Sequence, residues 1–179
     1  RVAAIAAVHD TLSEGLSQNV DFDIVFDRVL ILVAEVASRT QHIIKPTLEG
    51  SFGILPSEYA TPLALVLTEL VTNAVEHGLR DQDGGDVTIS ASRSEEELNV
   101  QVEDSGAGLP AGKPVDGLGS QIVRNLVEGE LGGTIEWKNR AVKGTQVSIQ
   151  VPMRFISDPS EKNSETEDPA AHSAAPDRV

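Results

Sequence analysis

The chain has 179 residues, of which 40% are apolar and none is cysteine, and its formal net charge is −14. The lack of cysteine excludes disulfides and thiolate metal centres. So negative a field repels phosphate backbones and anionic bilayers, which argues against nucleic acid and membrane as direct partners. No apolar run reaches the length of a membrane span and no signal peptide opens the chain, so a cytoplasmic setting is expected. The first residue is Arg1 rather than Met, which reads as a piece of a longer protein. Aromatics make up only 3%, so the core is expected to rest on Val, Leu, Ile and Ala.

In chain order, Val2, Ile5, Val8, Leu12 and Leu16 recur at three- and four-residue steps and predict a helix over 2–16 with one apolar stripe. Residues 22–38 predict a second helix, apolar almost all round and therefore expected to be deeply buried. Short strands are expected over 42–48 and 51–55. Pro56 and Ser57 then open a long helix that should run to His77 and stop at Gly78. Val87, Ile89 and Ala91 alternate as a strand, as do Leu98, Val100 and Val102, with Glu95 to Glu97 at the hairpin between them. A loop rich in Gly and Pro fills 104–119, a helix follows over 119–131, and 135–137 with 147–151 make a last strand pair. Beyond Ile156 the chain turns to Pro, Ser, Glu, Asp and Ala with almost nothing to bury, so 157–179 is expected to be disordered. The sum is an α+β domain in two layers, with helices on one face of a mixed or antiparallel sheet.

Three places can carry chemistry. On the long helix Glu69, Asn73 and His77 are spaced i, i+4, i+8, and each step turns about 40° past a full circle, so they form a slowly winding polar row. Helical spacing alone is better served by the solvated side of an amphipathic helix. Chemically, the neutral Asn oxygen suits a hard cation such as Mg²⁺, which takes one or two protein ligands and fills its shell with water and phosphate oxygens. A Glu one turn away can orient water or accept a proton. Next, Asp104-Ser-Gly106-Ala-Gly108 follows an alternating strand. A carboxylate at a strand end can accept from an exocyclic amine, and the glycines let backbone approach a flat ligand. An ordinary Gly-rich turn has the same pattern. Third, Gly117-Leu118-Gly119 opens a helix whose free N–H groups favour an anion, and Gly144-Thr145 enters the last strand, as a plain turn or with the hydroxyl near a ligand. There is no Walker A motif, so the P-loop class is out.

Taken in order, these segments resemble the GHKL ATPases (gyrase, Hsp90, histidine kinase, MutL). Glu69-Leu-Val-Thr-Asn73-Ala-Val-Glu-His77 is similar to their N box, Asp104-Ser-Gly-Ala-Gly108 to the G1 box and Gly117-Leu-Gly119 to the G2 box. The resemblance covers about residues 40–153. It implies the Bergerat two-layer α/β sandwich, with ATP and Mg²⁺ as cofactors. It further implies Asn73 as magnesium ligand, Glu69 in the phosphoryl-transfer centre and His77 near the phosphates. Asp104 would bind the adenine amino group, Gly106, Gly108, Gly117, Leu118 and Gly119 would shape pocket and lid, and Thr145 would back the adenine side.

More narrowly, Arg1-Val-Ala-Ala-Ile-Ala-Ala-Val-His9-Asp-Thr-Leu-Ser resembles the second helix of the dimerisation and phosphotransfer hairpin of HisKA_2-type histidine kinases. That likeness implies three parts: residues 1–18 as half of a hairpin, 19–156 as the catalytic domain and 157–179 as an acidic tail. It also implies a homodimer in the full-length protein and relay to a response regulator, one with an RNA-binding output domain in the kinases of this type that it most resembles. The chain departs from the pattern in two ways: the first hairpin helix, which carries the acceptor histidine, is not in this sequence, and the lid has no clear F box. His9 falls on the second helix, where packing and acceptor roles both remain open. His42, His77 and His172 share no ligand spacing and make no metal set. Two other readings share the same boxes: an anti-sigma-factor serine kinase, and a degenerate module of this family that only binds partners. The hydrolytic branch ranks last, because no transducer domain follows residue 156.

Overall fold

The computed structural model describes residues 19–39, 43–79, 84–109 and 117–153. The expected helix over 2–16, the tail over 157–179, and His9, His42 and His172 lie outside them. The chain enters through a three-residue strand, β1 (Asn19–Asp21), and turns at once into helix α1 (Phe22–Arg39). Strand β2 (Ile43–Gly50) and the short β3 (Ile54–Pro56) precede helix α2 (Ser57–Asn73). The hairpin β4 (Gly84–Arg93) and β5 (Glu97–Asp104) comes next, followed by helix α3 (Leu118–Asn125) and the closing pair β6 (Thr134–Asn139) and β7 (Thr145–Pro152).

Five strands form one mixed sheet in the order β2-β4-β5-β7-β6, parallel only between β2 and β4. Its register explains the alternation in the sequence. Ile89 pairs with Val102 and Ala91 with Val100, and Val102 and Val100 pair in turn with Val147 and Ile149, so one face carries a continuous buried apolar row. Asn99, Gln101, Ser148 and Gln150 point to the other, polar face. The helices cover the apolar face, with Leu63, Val66, Leu67, Leu70 and Val71 of α2 at the centre of the core.

The structure corrects several expectations. α1 is not buried all round: Phe22, Val25, Phe26, Val29 and Val33 face inward, while Ile24 and Ile31 are 56% and 59% exposed. Scarce aromatics do not mean an aliphatic core throughout, since Phe22, Phe26 and Phe52 form a fully buried cluster with centroids 4.9 to 6.3 Å apart. Residues 51–53 do not belong to a strand. They form a turn gathered on Asp23, whose carboxylate accepts from Phe52 N–H (2.8 Å), Gly53 N–H (3.2 Å) and Ser51 Oγ (2.6 Å). Burial raises the Asp23 pKa, but those three hydrogen bonds outweigh it and hold the carboxyl below its ordinary value. β3 pairs with β1, a strand with no periodicity to announce it, in a separate two-stranded sheet. The long helix is α-helical only to Asn73; Ala74–Gly78 form a wider turn in which Leu79 N–H reaches back five residues to the Ala74 carbonyl (3.1 Å). The helix after Gly117 ends in the same way, over Leu126–Glu130.

Candidate functional site

Glu69 and Asn73 sit on the last turns of α2, held there by the buried opposite face of that helix. Their one-turn relation is as the spacing requires. The wider turn falls between Asn73 and His77, so the helical step that relates Glu69 to Asn73 does not continue to His77. The side chain of His77 lies outside the described residues.

The start of α3 closes on this pair. A Cβ added to Gly119 would lie 3.0 Å from Glu69 Oε2 and 3.6 and 3.8 Å from the amide nitrogen and oxygen of Asn73. Two segments fifty residues apart thus meet, and a side chain at 119 would crowd the Glu69 carboxylate. α3 is seated by Val123 and by Arg124, whose guanidinium stacks 4.8 Å from the Trp137 ring centroid, and the wider turn after it by Val127; both valines are fully buried. Among the described residues Glu69 Oε2 is a buried oxygen with no hydrogen-bond partner. A buried acceptor left in that state is costly. Beside the Asn73 amide, and at the mouth of a helix that has no side-chain cap among the described residues, it fits a site completed by a cation, water or phosphate oxygens. Among the described residues no cluster of three or more His, Cys, Asp or Glu could hold a metal ion. Gly117 and Leu118 are less engaged. Leu118 is 74% exposed, and a Cβ on Gly117 would meet Ser120 Oγ at an ordinary 3.6 Å.

The second group forms around Asp104, which is 5% exposed at the end of β5. Its Oδ1 accepts from Gly106 N–H (2.8 Å) and Thr145 N–H (3.2 Å), which fixes the side chain and turns the chain away from the strand. Thr145 therefore acts on this carboxylate through its main chain. Gly108 has φ +81°, and a Cβ there would stand 2.7 Å from Asn139 Oδ1. Gly144 has φ +98°, and a Cβ there would be 1.8 Å from the Asp104 carbonyl oxygen. The turn at 144 is thus more than a plain one, because it must let backbone touch backbone. Next to Asp104, Ser105 exchanges hydrogen bonds with Asp86, and its Oγ lies by Gly85, against which the buried Leu79 packs. Leu79 directly follows the wider turn at the end of α2, so that turn joins the Asp104 group to the Glu69–Asn73 pair.

Asn139 and Arg140 went unnoticed in the sequence. Asn139 Oδ1 accepts from Leu109 N–H at 2.6 Å, and Arg140 Nη1 donates to the Asp104 carbonyl at 3.1 Å. Neither has a local signature; only the pairing of β6 with β7 brings them to the loop.

Comparisons with known proteins bear on the family and the fold. Residues 58–154 match the family of histidine kinase-, DNA gyrase B-, and HSP90-like ATPases. The chain is 43% identical over 157 residues to the sensor histidine kinase PdtaS of Mycobacterium tuberculosis (strain H37Rv), a match that covers 86% of this chain and 31% of that protein. It is 37% identical over 139 residues to blue-light-activated histidine kinase 2 of Erythrobacter litoralis, covering 71% of this chain and 40% of the relative. The chain thus spans well under half the length of these relatives. Among solved structures, the histidine kinase domain of an Erythrobacter litoralis blue-light activated histidine kinase superposes with a TM-score of 0.72 at 28% identity, over 84% of this chain and 73% of that one. The chain belongs to the histidine kinase-, DNA gyrase B-, and HSP90-like ATPase family, with a kinase ATPase domain of the sensor-histidine-kinase kind.

Proposed function

We propose that this chain binds ATP with Mg²⁺ between the Glu69–Asn73 pair and Asp104, and directs the γ-phosphate to a histidine for relay to a response-regulator aspartate. The observation that carries this reading is the closure of Gly119 over Glu69 and Asn73, where a buried carboxylate oxygen lacks a partner among the described residues. Asn73 would hold the magnesium, which supplies neutralisation of phosphate charge when bound. The start of α3 offers main-chain N–H groups and the positive end of its dipole to the phosphates, in a protein whose overall charge of −14 gives no long-range help. Asp104, restrained by Gly106 and Thr145, offers acceptors to the adenine amine. Glu69 would accept a hydrogen bond from the incoming imidazole or an ordered water. Phosphoryl transfer of this kind rests mainly on positioning and charge.

The same reading assigns 1–18 as the second helix of a dimerisation hairpin, 19–156 as the catalytic domain and 157–179 as an acidic tail. It places the full-length protein in the cytoplasm as a homodimer that pairs with a response regulator, possessing an RNA-binding output domain as the family resemblance implies. Among the described residues no helix is long and apolar enough to cross a membrane. The chain is expected to bind ATP without labelling itself, and to label an added hairpin that bears the acceptor histidine. Incubation with γ-labelled ATP tests this. Acid-labile label on the added hairpin alone is the expected result. Self-labelling that disappears in His9→Gln would make His9 the acceptor, and acid-stable label on serine would point to a serine kinase.

A further inference from the structure

Base recognition in this reading depends on one carboxylate and on how firmly the loop around it is held. Four residues reach that loop, from the end of β6 through the turn to the start of β7. Asn139 bonds the Leu109 main chain in both senses, with Leu109 N–H donating to Oδ1 (2.6 Å) and Nδ2 donating to the Leu109 carbonyl (3.4 Å). Arg140 Nη1 donates to the Asp104 carbonyl (3.1 Å), while its Nη2 pairs with Glu103 Oε2 at 3.3 Å. Gly144 packs its backbone against the same carbonyl, and Thr145 N–H donates to the Asp104 side chain. Arg140 therefore anchors the loop where it leaves β5 and Asn139 anchors it beyond Gly108.

The geometry points to Asn139 and Arg140 as positioning residues that set the angle at which Asp104 meets a purine, and hence as determinants of selectivity for a 6-amino over a 6-oxo base. This inference rests on the ATP reading and extends it to purine discrimination. A carboxylate only accepts: it gains from an exocyclic amine and repels a 6-oxo group. Hydrogen bonds weaken steeply once the donor angle bends, so a carboxylate free to rock would discriminate less. Sites built around a buried hydrogen-bonding group reject the wrong analogue because that group is left unpaired, which requires the group to stay in place.

Titration calorimetry of the 179-residue chain with magnesium and either ATP or inosine triphosphate reads the effect as a ratio of affinities. Wild type is expected to favour ATP by at least about tenfold. In Asn139→Ala and Arg140→Gln the preference should fall to about threefold or less, chiefly through weaker ATP binding, while Arg140→Lys, which keeps a donor for the Asp104 carbonyl, should retain more of it. A merely structural role would lower the melting temperature or weaken both nucleotides together and leave the ratio unchanged, and that result overturns the inference. Should Asn139→Ala fail to fold, the two Arg140 variants decide. A wild-type chain that bound neither nucleotide would overturn the ATP reading itself; wild-type preference with unchanged ratios in the variants would overturn only the role of Asn139 and Arg140.

Discussion

Gly119→Ala separates stability from binding. Gly119 lies in the first turn of α3 without a positive φ, so alanine gains about 0.5–1 kcal/mol of helix propensity. Against this, the new methyl would lie 3.0 Å from Glu69 Oε2. That oxygen is the end of a flexible side chain, and it can retreat by a few tenths of an ångström. The two effects nearly cancel, so the melting temperature should stay within about 4 °C of wild type. Binding should change far more. The methyl also stands 3.6 and 3.8 Å from the two ends of the Asn73 amide, in the space that the proposed site gives to a phosphate oxygen or metal-bound water. Loss of one charge-assisted hydrogen bond costs about 1.5–3 kcal/mol, or roughly tenfold to a hundredfold in affinity. Thermal unfolding and calorimetry on the same preparation read both numbers. ATP affinity within about twofold of wild type, with the fold intact, would show that the Glu69–Asn73–Gly119 junction is not the nucleotide site.

Other expectations follow from single contacts. Gly144→Ala forces a left-handed φ and a Cβ onto the Asp104 carbonyl, so it should destabilise by about 3 kcal/mol or more in chemical denaturation. Phe26→Ala opens the aromatic cluster and should cost about 3–5 kcal/mol by the same measurement. Asp23 has a folded pKa below its ordinary value, so its stabilisation is fully present above the unfolded pKa near 3.8 and is lost as pH falls through the lower folded pKa. Asp23→Asn should therefore lower stability at neutral pH and flatten the acid limb of a pH–stability curve; an unaltered acid limb would remove Asp23 from that role.

Much of the architecture was legible because burial on one side of a sheet writes itself into every second residue. Val87, Ile89 and Ala91 with Leu98, Val100 and Val102 announce two strands and the face they share. Pro56-Ser57 marks the start of α2. Its end was misplaced because a turn that widens from four to five residues at Ala74 has no local chemistry of its own. α1 carries large apolar residues on both sides, so periodicity cannot tell Phe26, fully buried, from Ile31, which is not. Glu69, Asn73 and Asp104 were visible as residue types, while the contacts that gather other segments on them are long-range: Gly119 reaching Glu69 and Gly144 reaching Asp104. Asn139 was illegible for the same reason, since its partner Leu109 is thirty residues away.

The most direct measurement of the central claim is calorimetric titration of ATP into the chain, with magnesium and with a chelator, for wild type and Asn73→Ala. Magnesium-dependent binding by wild type, weakened at least about tenfold in Asn73→Ala and by the chelator alike, is the expected result. Equal affinity in all of these conditions would contradict the assignment of Asn73 and, with it, the site.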